Sequence, residues 1–284
     1  MSEEIRKYKD YIGRSAEYTV KNAESFQSFL SFLAKMKGPI SLDNKLLARG
    51  YDADTTEIRT EEDWKRFGIA VLSRERPIHQ LIYREDGSEE VQILYDIAST
   101  NAVARDFEQF SDPGFFVDRL LQKHPCPIKF FEKDKVGSDK IRFSPEDGVI
   151  YATYGARDDT ELGQLFLREY AHFYLHEFER CDEDLSPSEE GTNECTRPYN
   201  RKEHGLEAHA VVYALCVRHG LEPPTMDKVQ ASAGLTSEDI LQILRGIDQA
   251  IIRITALIED IGNRREAKYS CYFREKERSK SLQQ

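Results

Sequence analysis

The chain has no cysteine framework. Its five cysteines, Cys126, Cys181, Cys195, Cys216 and Cys271, are an odd number, widely spaced and without a CxxC pair, which argues against a disulfide scaffold and fits a reducing compartment. A long apolar run is also missing: no stretch approaches the roughly 18 residues that a membrane-spanning helix needs. The opening Met1-Ser-Glu-Glu-Ile-Arg-Lys-Tyr-Lys-Asp10 lacks the apolar core of a secretory leader. A cytoplasmic protein without a membrane partner is expected. Positive charge is short as well, with 40 Lys and Arg against 51 Asp and Glu and a net charge of -11. Indiscriminate binding to phosphate backbones is therefore disfavoured, and any nucleic-acid contact needs a local basic face. No repeat and no Pro- or Ser-rich linker divides the chain, so a domain boundary has to come from a change of pattern.

What is present is the material of a packed core: 39% hydrophobic residues, 14 Tyr and 15 Phe in 284 residues, enough for two ordinary domains. From about Glu17 to Lys37, the residues Val20, Ala23, Phe26, Phe29, Leu30, Leu33 and Met36 recur at three- and four-residue steps, and Gly38-Pro39 ends the pattern. This predicts an amphipathic helix. Ser41 caps a second, short helix through Arg49, with Asp43 and Asn44 in its first turn. Ile69 to Leu72, His79 to Tyr83 and Val91 to Tyr95 read as strands, the last two flanking an Asp86-Gly87 hairpin turn. The turn cluster Asp112-Pro113-Gly114 marks a boundary, giving a first domain of 1–114 and a second of 115–262.

The second part contains predicted strands at Ile128 to Phe131 and Val149 to Tyr154. A helix capped by Asp158 or Asp159 follows, running to about Phe178 with Leu162, Leu165, Phe166, Tyr170 and Phe173 buried. The acidic stretch from Glu179 to Glu194 has loop chemistry. Lys202 to His219 is helical again, stopped by Gly220 and Pro223-Pro224. A long helix runs from a Thr236 cap to Gly262, and 263–284 form a basic tail. The fold class is α+β.

Five of the seven histidines fall between His172 and His219, and two of them, His172 and His176, lie one helical turn apart beside Glu169. In a zinc peptidase, two histidines at i and i+4 grip the metal, the glutamate after the first activates a water, and a later helix adds a third ligand. Here the run is Arg168-Glu169-Tyr170-Ala171-His172. Glu169 stands at the catalytic position and His172 at that of the second histidine. Arg168 replaces the first ligand, and a guanidinium has no lone pair to give a metal.

Ser144-Pro-Glu-Asp-Gly-Val-Ile-Tyr151, the helix with Glu169, His172 and His176, and Gly205-Leu-Glu-Ala-His-Ala-Val-Val212 together resemble the zincin-like domain of the ImmA/IrrE and ArdC-type proteins. Phe29-Leu30, Asp43-Asn44, the lone Trp64 and Leu94-Tyr-Asp-Ile-Ala-Ser-Thr100 are similar to the N-terminal single-stranded-DNA-binding domain of ArdC-type antirestriction proteins. The resemblance implies a DNA-binding module followed by a zincin-fold module with a long C-terminal helix. It implies Glu207 as the ligand from the second helix, beside His172, and a mobile-element or defence-interference setting. His176 is a further candidate ligand but a typical residue of that helix in the family, and His209 points to another face, so neither plainly replaces the missing one. Zinc and peptide hydrolysis are both placed in doubt by Arg168. A structural zinc site of His172, His176, Cys181 and Cys195 is a second metal reading.

For the first domain, a groove is expected in which Trp64, Tyr51 or Phe67 stack bases while Asn44, Arg49, Lys65 and Arg66 line the strand and its phosphates. Trp64 reads equally as a core anchor and the basic residues as solvated surface. Three functions follow: a single-stranded-DNA-binding protein with an inactive zincin fold; an active zinc metallopeptidase with Glu169 as general base and a histidine from elsewhere; or a protein-interaction scaffold using neither metal nor DNA. In the first case Arg168 is expected to pair with Glu207, replacing part of the lost metal charge.

Overall fold

The computed structural model describes residues 2–38, 40–74, 76–84, 87–102, 109–110, 112–131, 141–153, 158–183, 200–226 and 234–259, with side chains in 179–183 excepted. It divides into two compact units, one drawn from 1–107 and 227–244, the other from 108–226 and 245–261. The change of pattern near residue 114 thus lies several residues beyond the observed division. The first part of the last helix counts with the first unit.

The first unit opens with α1 (Glu3–Thr19), α2 (Ala23–Lys35) and α3 (Leu42–Tyr51). Each starts on a side-chain cap: Ser2, Asn22 and Ser41 accept from the backbone N–H three residues on, which satisfies donors a helix start leaves open. The pattern expected to be one helix from Glu17 is two, broken around Asn22, and α1 was not anticipated. Its buried stripe of Ile5, Ile12, Ala16 and Thr19 is thin among charged residues. The predicted α3 forms as read from Ser41.

After β1 (Ile58–Arg59) and α4 (Glu61–Arg66) come β2 (Ile78–Tyr83) and β3 (Glu89–Asp96). They make an antiparallel sheet in the order β1-β3-β2, with Leu81 opposite Val91 and Tyr95 opposite Arg59. The two hairpin strands match their expected positions. Ile69 to Leu72 does not form a strand and makes only a single bridge, Val71 to Thr100. The core joins Phe26, Phe29 and Leu30 of α2, Leu46 and Leu47 of α3, and Ile78, Leu81 and Leu94 of the sheet.

In the second unit, Asp112 caps α5 (Pro113–Gln122) through the Gly114 N–H, with Pro113 at the first helical position. What reads as a turn is a helix start, where proline loses no hydrogen bond. β4 (Ile128–Phe131), β5 (Ile141–Ser144) and β6 (Val149–Thr153) form a sheet ordered β4-β6-β5, parallel between β4 and β6 and antiparallel between β5 and β6. α6 (Asp159–Glu183) starts beside Asp158, whose carboxylate accepts from the N–H groups of Thr160 and Glu161. α7 (Gly205–His219) ends on Gly220 at φ 71, a left-handed cap suited to glycine. α8 (Ser237–Ile258) follows Thr236, which exchanges bonds with Asp239.

α6 packs on α5, α7 and β5. It buries Phe166, Leu167, Tyr170, Ala171 and Leu175, while α7 offers small residues, Ala208, Ala210 and Ala214, that permit close helix approach. The architecture is α+β. The helix α6 runs five residues past its expected end at Phe178, through 179–183, where a loop was expected; the rest of that loop, 184–194, and the basic tail at 263–284 lie outside the described residues.

Candidate functional site

Glu169 lies on the face of α6 that meets β5 and α7, and it is fully buried. Four donors converge on its carboxylate. The Phe143 N–H of β5 donates to Oε2 at 2.8 Å. Arg201 forks onto both oxygens, reaching Oε2 at 2.6 Å and Oε1 at 2.5 Å, and Arg168 donates its Nε to Oε1 at 3.2 Å. A carboxylate offers about four lone-pair sites, and all four are met. The fork is the planar match between guanidinium and carboxylate that makes arginine the strongest side-chain partner available.

Arg201 comes from the turn 200–204 that enters α7. Asn200 holds the turn, its carbonyl accepting from the N–H groups of Glu203 and His204 and its side chain from that of Lys202. At the end of the same turn, His204 Nδ1 lies 2.6 Å from Glu207 Oε2. Glu207 sits in the first turn of α7, where the helix dipole favours an acidic group.

His172, one turn along α6 from Glu169, is buried, and its pKa is drawn down to about 3. Burial is the largest cause, followed by the charges of Arg201, Arg168 and His204. The imidazole is neutral at any physiological pH.

The expected Arg168 to Glu207 pair does not form. Arg168 turns back to its neighbour Glu169, within reach of a long side chain despite the roughly 100° step between adjacent helical residues, and Glu207 is taken by His204. Of the expected ligands, Glu207 is taken by His204 and His172 is buried on α6, while His176 lies against Phe143, ring centres 6.1 Å apart. His209 faces the Thr225 carbonyl at 2.8 Å. Cys195 and the side chain of Cys181 fall outside the described residues, so the His and Cys zinc reading does too. Among the described residues, no three His, Cys, Asp or Glu side chains converge to hold a metal ion. The carboxylate a metal or its water would need is saturated by hydrogen-bond donors, so the residues present do not fit a zinc ion in this arrangement.

Arg201 and His204 were not anticipated. The only sequence signal for either was the i, i+3 spacing of His204 and Glu207; Arg201 reaches a partner 32 positions away and follows no spacing rule.

The residues expected to line a nucleic-acid groove separate. Trp64 is buried at 1% exposure with Tyr95 and Ile97, and its Nε1–H donates to the Tyr95 carbonyl at 2.9 Å. It is a core anchor and offers no face to a base. Asn44 is also buried: its side-chain amide donates to the Leu81 carbonyl at 3.0 Å and accepts the Leu81 N–H at 2.8 Å. It thereby closes the outer edge of β2 like a short strand. Arg49 donates to Thr19 and Ser28 at 3.2 and 3.1 Å and lies over Phe29, where burial lowers its pKa. Lys65 and Arg66 are exposed, each beside a carboxylate of its own helix, Glu61 at 3.3 Å and Asp63 at 3.1 Å. Tyr51 and Phe67 are exposed too, Tyr51 with its hydroxyl 2.6 Å from His79 Nδ1 and Phe67 under the Arg59 guanidinium. Tyr8 packs beside His79, ring centres 5.8 Å apart.

No protein-family model matches the chain, and no curated protein matches it. Two solved structures of the antirestriction ArdC protein from R388 plasmid are similar to it. The Mn(II)-bound form shares 16% identity over 81% of this chain and 90% of that one, with a TM-score of 0.45. The metal-free form shares 17% over 78% and 84%, with a TM-score of 0.42. These are proteins of the ArdC type that the sequence motifs resemble.

Proposed function

We propose that the protein works by binding and not by peptide hydrolysis, as an ArdC-like protein of antirestriction type. In this reading the first unit holds single-stranded DNA, and the second is a zincin-fold module without peptidase activity. One observation carries it: both oxygens of Glu169 are filled by Arg201, Arg168 and the Phe143 N–H. A general base must hold its water within about 2.6–3.2 Å along an open lone pair, and Glu169 has none to spare. The sequence resemblance supports the DNA-binding half, and the exposed Tyr51, Phe67, Lys65 and Arg66 are the members of the expected groove still open to a strand.

The test is a paired assay on the full chain. Labelled single-stranded DNA is titrated at rising salt, and cleavage of unfolded casein is followed with Zn²⁺ or Mn²⁺ added. Binding that weakens steeply with salt, with no cleavage above that of Glu169→Gln, is expected. Metal-dependent cleavage abolished by Glu169→Gln, or no DNA binding at low salt, would remove the reading.

A further inference from the structure

We infer that the surface where the end of α3 meets α1 is a nucleotide site, in which Arg49 holds a phosphate while Tyr11 and Tyr51 offer their rings to a base. This rests on the reading of the first unit as a single-stranded-DNA module and deepens it by naming where one nucleotide is seated.

The Arg49 guanidinium is half-buried, and its partners are neutral. Nη1 donates to the Thr19 hydroxyl at 3.2 Å and Nη2 to that of Ser28 at 3.1 Å, and the group lies over the Phe29 ring at 5.3 Å. Among the described residues no carboxylate pairs with it. A cation drawn partly out of water without an anion is costly, so the charge that completes this site has to come from outside the fold. The two bonds take two of the five N–H groups that a guanidinium carries. The bond to Ser28 is exposed, so solvent reaches that edge of the fork, and the remaining donors suit the oxygens of a phosphate.

Rings gather beside this charge. Gly50 and Tyr51 follow Arg49 in the last turn of α3, and the Tyr11 hydroxyl of α1 lies against Gly50 so closely that a Cβ there would collide with it. Gly50 thus seats Tyr11 on the turn, at a helix position where alanine is the better helix former. Tyr51 is held by its tip: its hydroxyl lies 2.6 Å from His79 Nδ1 and also bonds Tyr8, and the rings of Tyr8 and Tyr51 stand 5.8 and 5.9 Å from that of His79. Tyr11 and Tyr51 are nonetheless 38% and 48% exposed, which leaves ring surface for stacking. Burial, with Tyr8 and Tyr11 adding to it, raises the Tyr51 pKa to about 12, so no phenolate repels a phosphate beside it. Rigid rings next to an arginine are the means by which single-stranded nucleic acid is held. An acidic peptide would meet the charge of Arg49 and leave the two rings without a use.

The experiment uses the full chain with two probes, a short single strand carrying 2-aminopurine and free dAMP. Quenching of 2-aminopurine reports stacking, and a salt series reports phosphate contacts. Arg49→Gln should weaken strand binding about tenfold at low salt and lower the salt slope by about one. Tyr51→Leu should weaken it roughly five- to hundredfold, with loss of quenching. Gly50→Ala, which pushes Tyr11 aside without changing charge, should weaken it about fivefold while Tm holds or rises. Should Arg49→Gln fail to fold, Gly50→Ala and Tyr51→Leu decide by the same readouts. Wild-type affinity, slope and quenching in folded Arg49→Gln and Tyr51→Leu would overturn the site and leave the DNA-binding reading standing. If wild type binds dAMP but no strand, and Arg49→Gln loses the dAMP, the site stands with a free nucleotide as its ligand and the DNA-binding reading falls. Binding of neither probe removes both. Displacement of the strand by an equimolar glutamate-rich peptide would overturn the site in favour of an acidic protein partner.

Discussion

A carboxylate with no exposure to water is tolerated only when its charge and its lone pairs are both met, and the surroundings of Glu169 meet them with two arginines and one backbone N–H. Removing one side of such a pair leaves the other charge stranded. Arg201→Ala or Glu169→Ala should each cost ~3–5 kcal/mol of stability, whereas replacing both by apolar residues should recover much of the loss. A double-mutant cycle in urea measures this; additive losses would deny the coupling. Asn44 and Trp64 make a parallel case in the first unit. Asn44→Ala strands the Leu81 N–H and C=O and should cost about 1–3 kcal/mol. Trp64→Ala should cost roughly 3–5 kcal/mol by cavity formation. Neither should change DNA affinity in protein that remains folded. A selective loss of DNA binding in stable Asn44→Ala would return that residue to the groove. Spacing singled out Glu169 and His172 in the sequence, but the fates of Trp64 and Arg49 depended on what folds over them, which spacing does not encode.

At the scale of elements, caps were the most legible signals. Ser41, Asp158, Thr236 and Gly220 each bound a helix where the chain was read to start or stop one, because capping is a local exchange of hydrogen bonds. The misses were local as well. Asp112-Pro113-Gly114 carries the same residue types whether it turns the chain or starts a helix, and β5 is four residues whose alternation of Ile141 and Phe143 with Arg142 is too short to stand out. That strand supplies the Phe143 N–H of the site, so part of the site was hidden with it. Two further elements are tied by the nearly buried pair of Arg218, in α7, with Glu259 just past α8, Nε to Oε1 2.8 Å. Burial lowers the Arg218 pKa while Glu259 opposes the shift. Glu259→Ala should destabilise by ~3–5 kcal/mol; a loss below about 1 kcal/mol in urea melts would class the pair with surface salt bridges. Burial also raises the Cys126 thiol to about 11 and the Cys216 thiol to about 12. Because only the thiolate reacts, both should resist iodoacetamide in native protein up to about pH 9, as peptide mapping by mass spectrometry would show. Labelling of Cys216 at pH 8 without denaturant would contradict its placement.

For the whole molecule, an acidic chain with a net charge of -11 gains little from long-range attraction to DNA. A strand must therefore be held by local basic side chains of the first unit, with affinity that falls steeply as salt rises, and Lys65→Glu/Arg66→Glu should weaken binding tenfold or more at low salt; unchanged affinity would move the strand to another face. No described helix is long and apolar enough to cross a membrane. The proposal that Glu169, filled by Arg201 and Arg168, serves neither a metal nor its water is tested most directly by metal content. Wild-type protein purified without chelator, loaded with excess Zn²⁺ and passed through gel filtration, should retain far less than one ion per chain at this site. Close to one zinc per chain, reduced to background by His172→Ala, would contradict it.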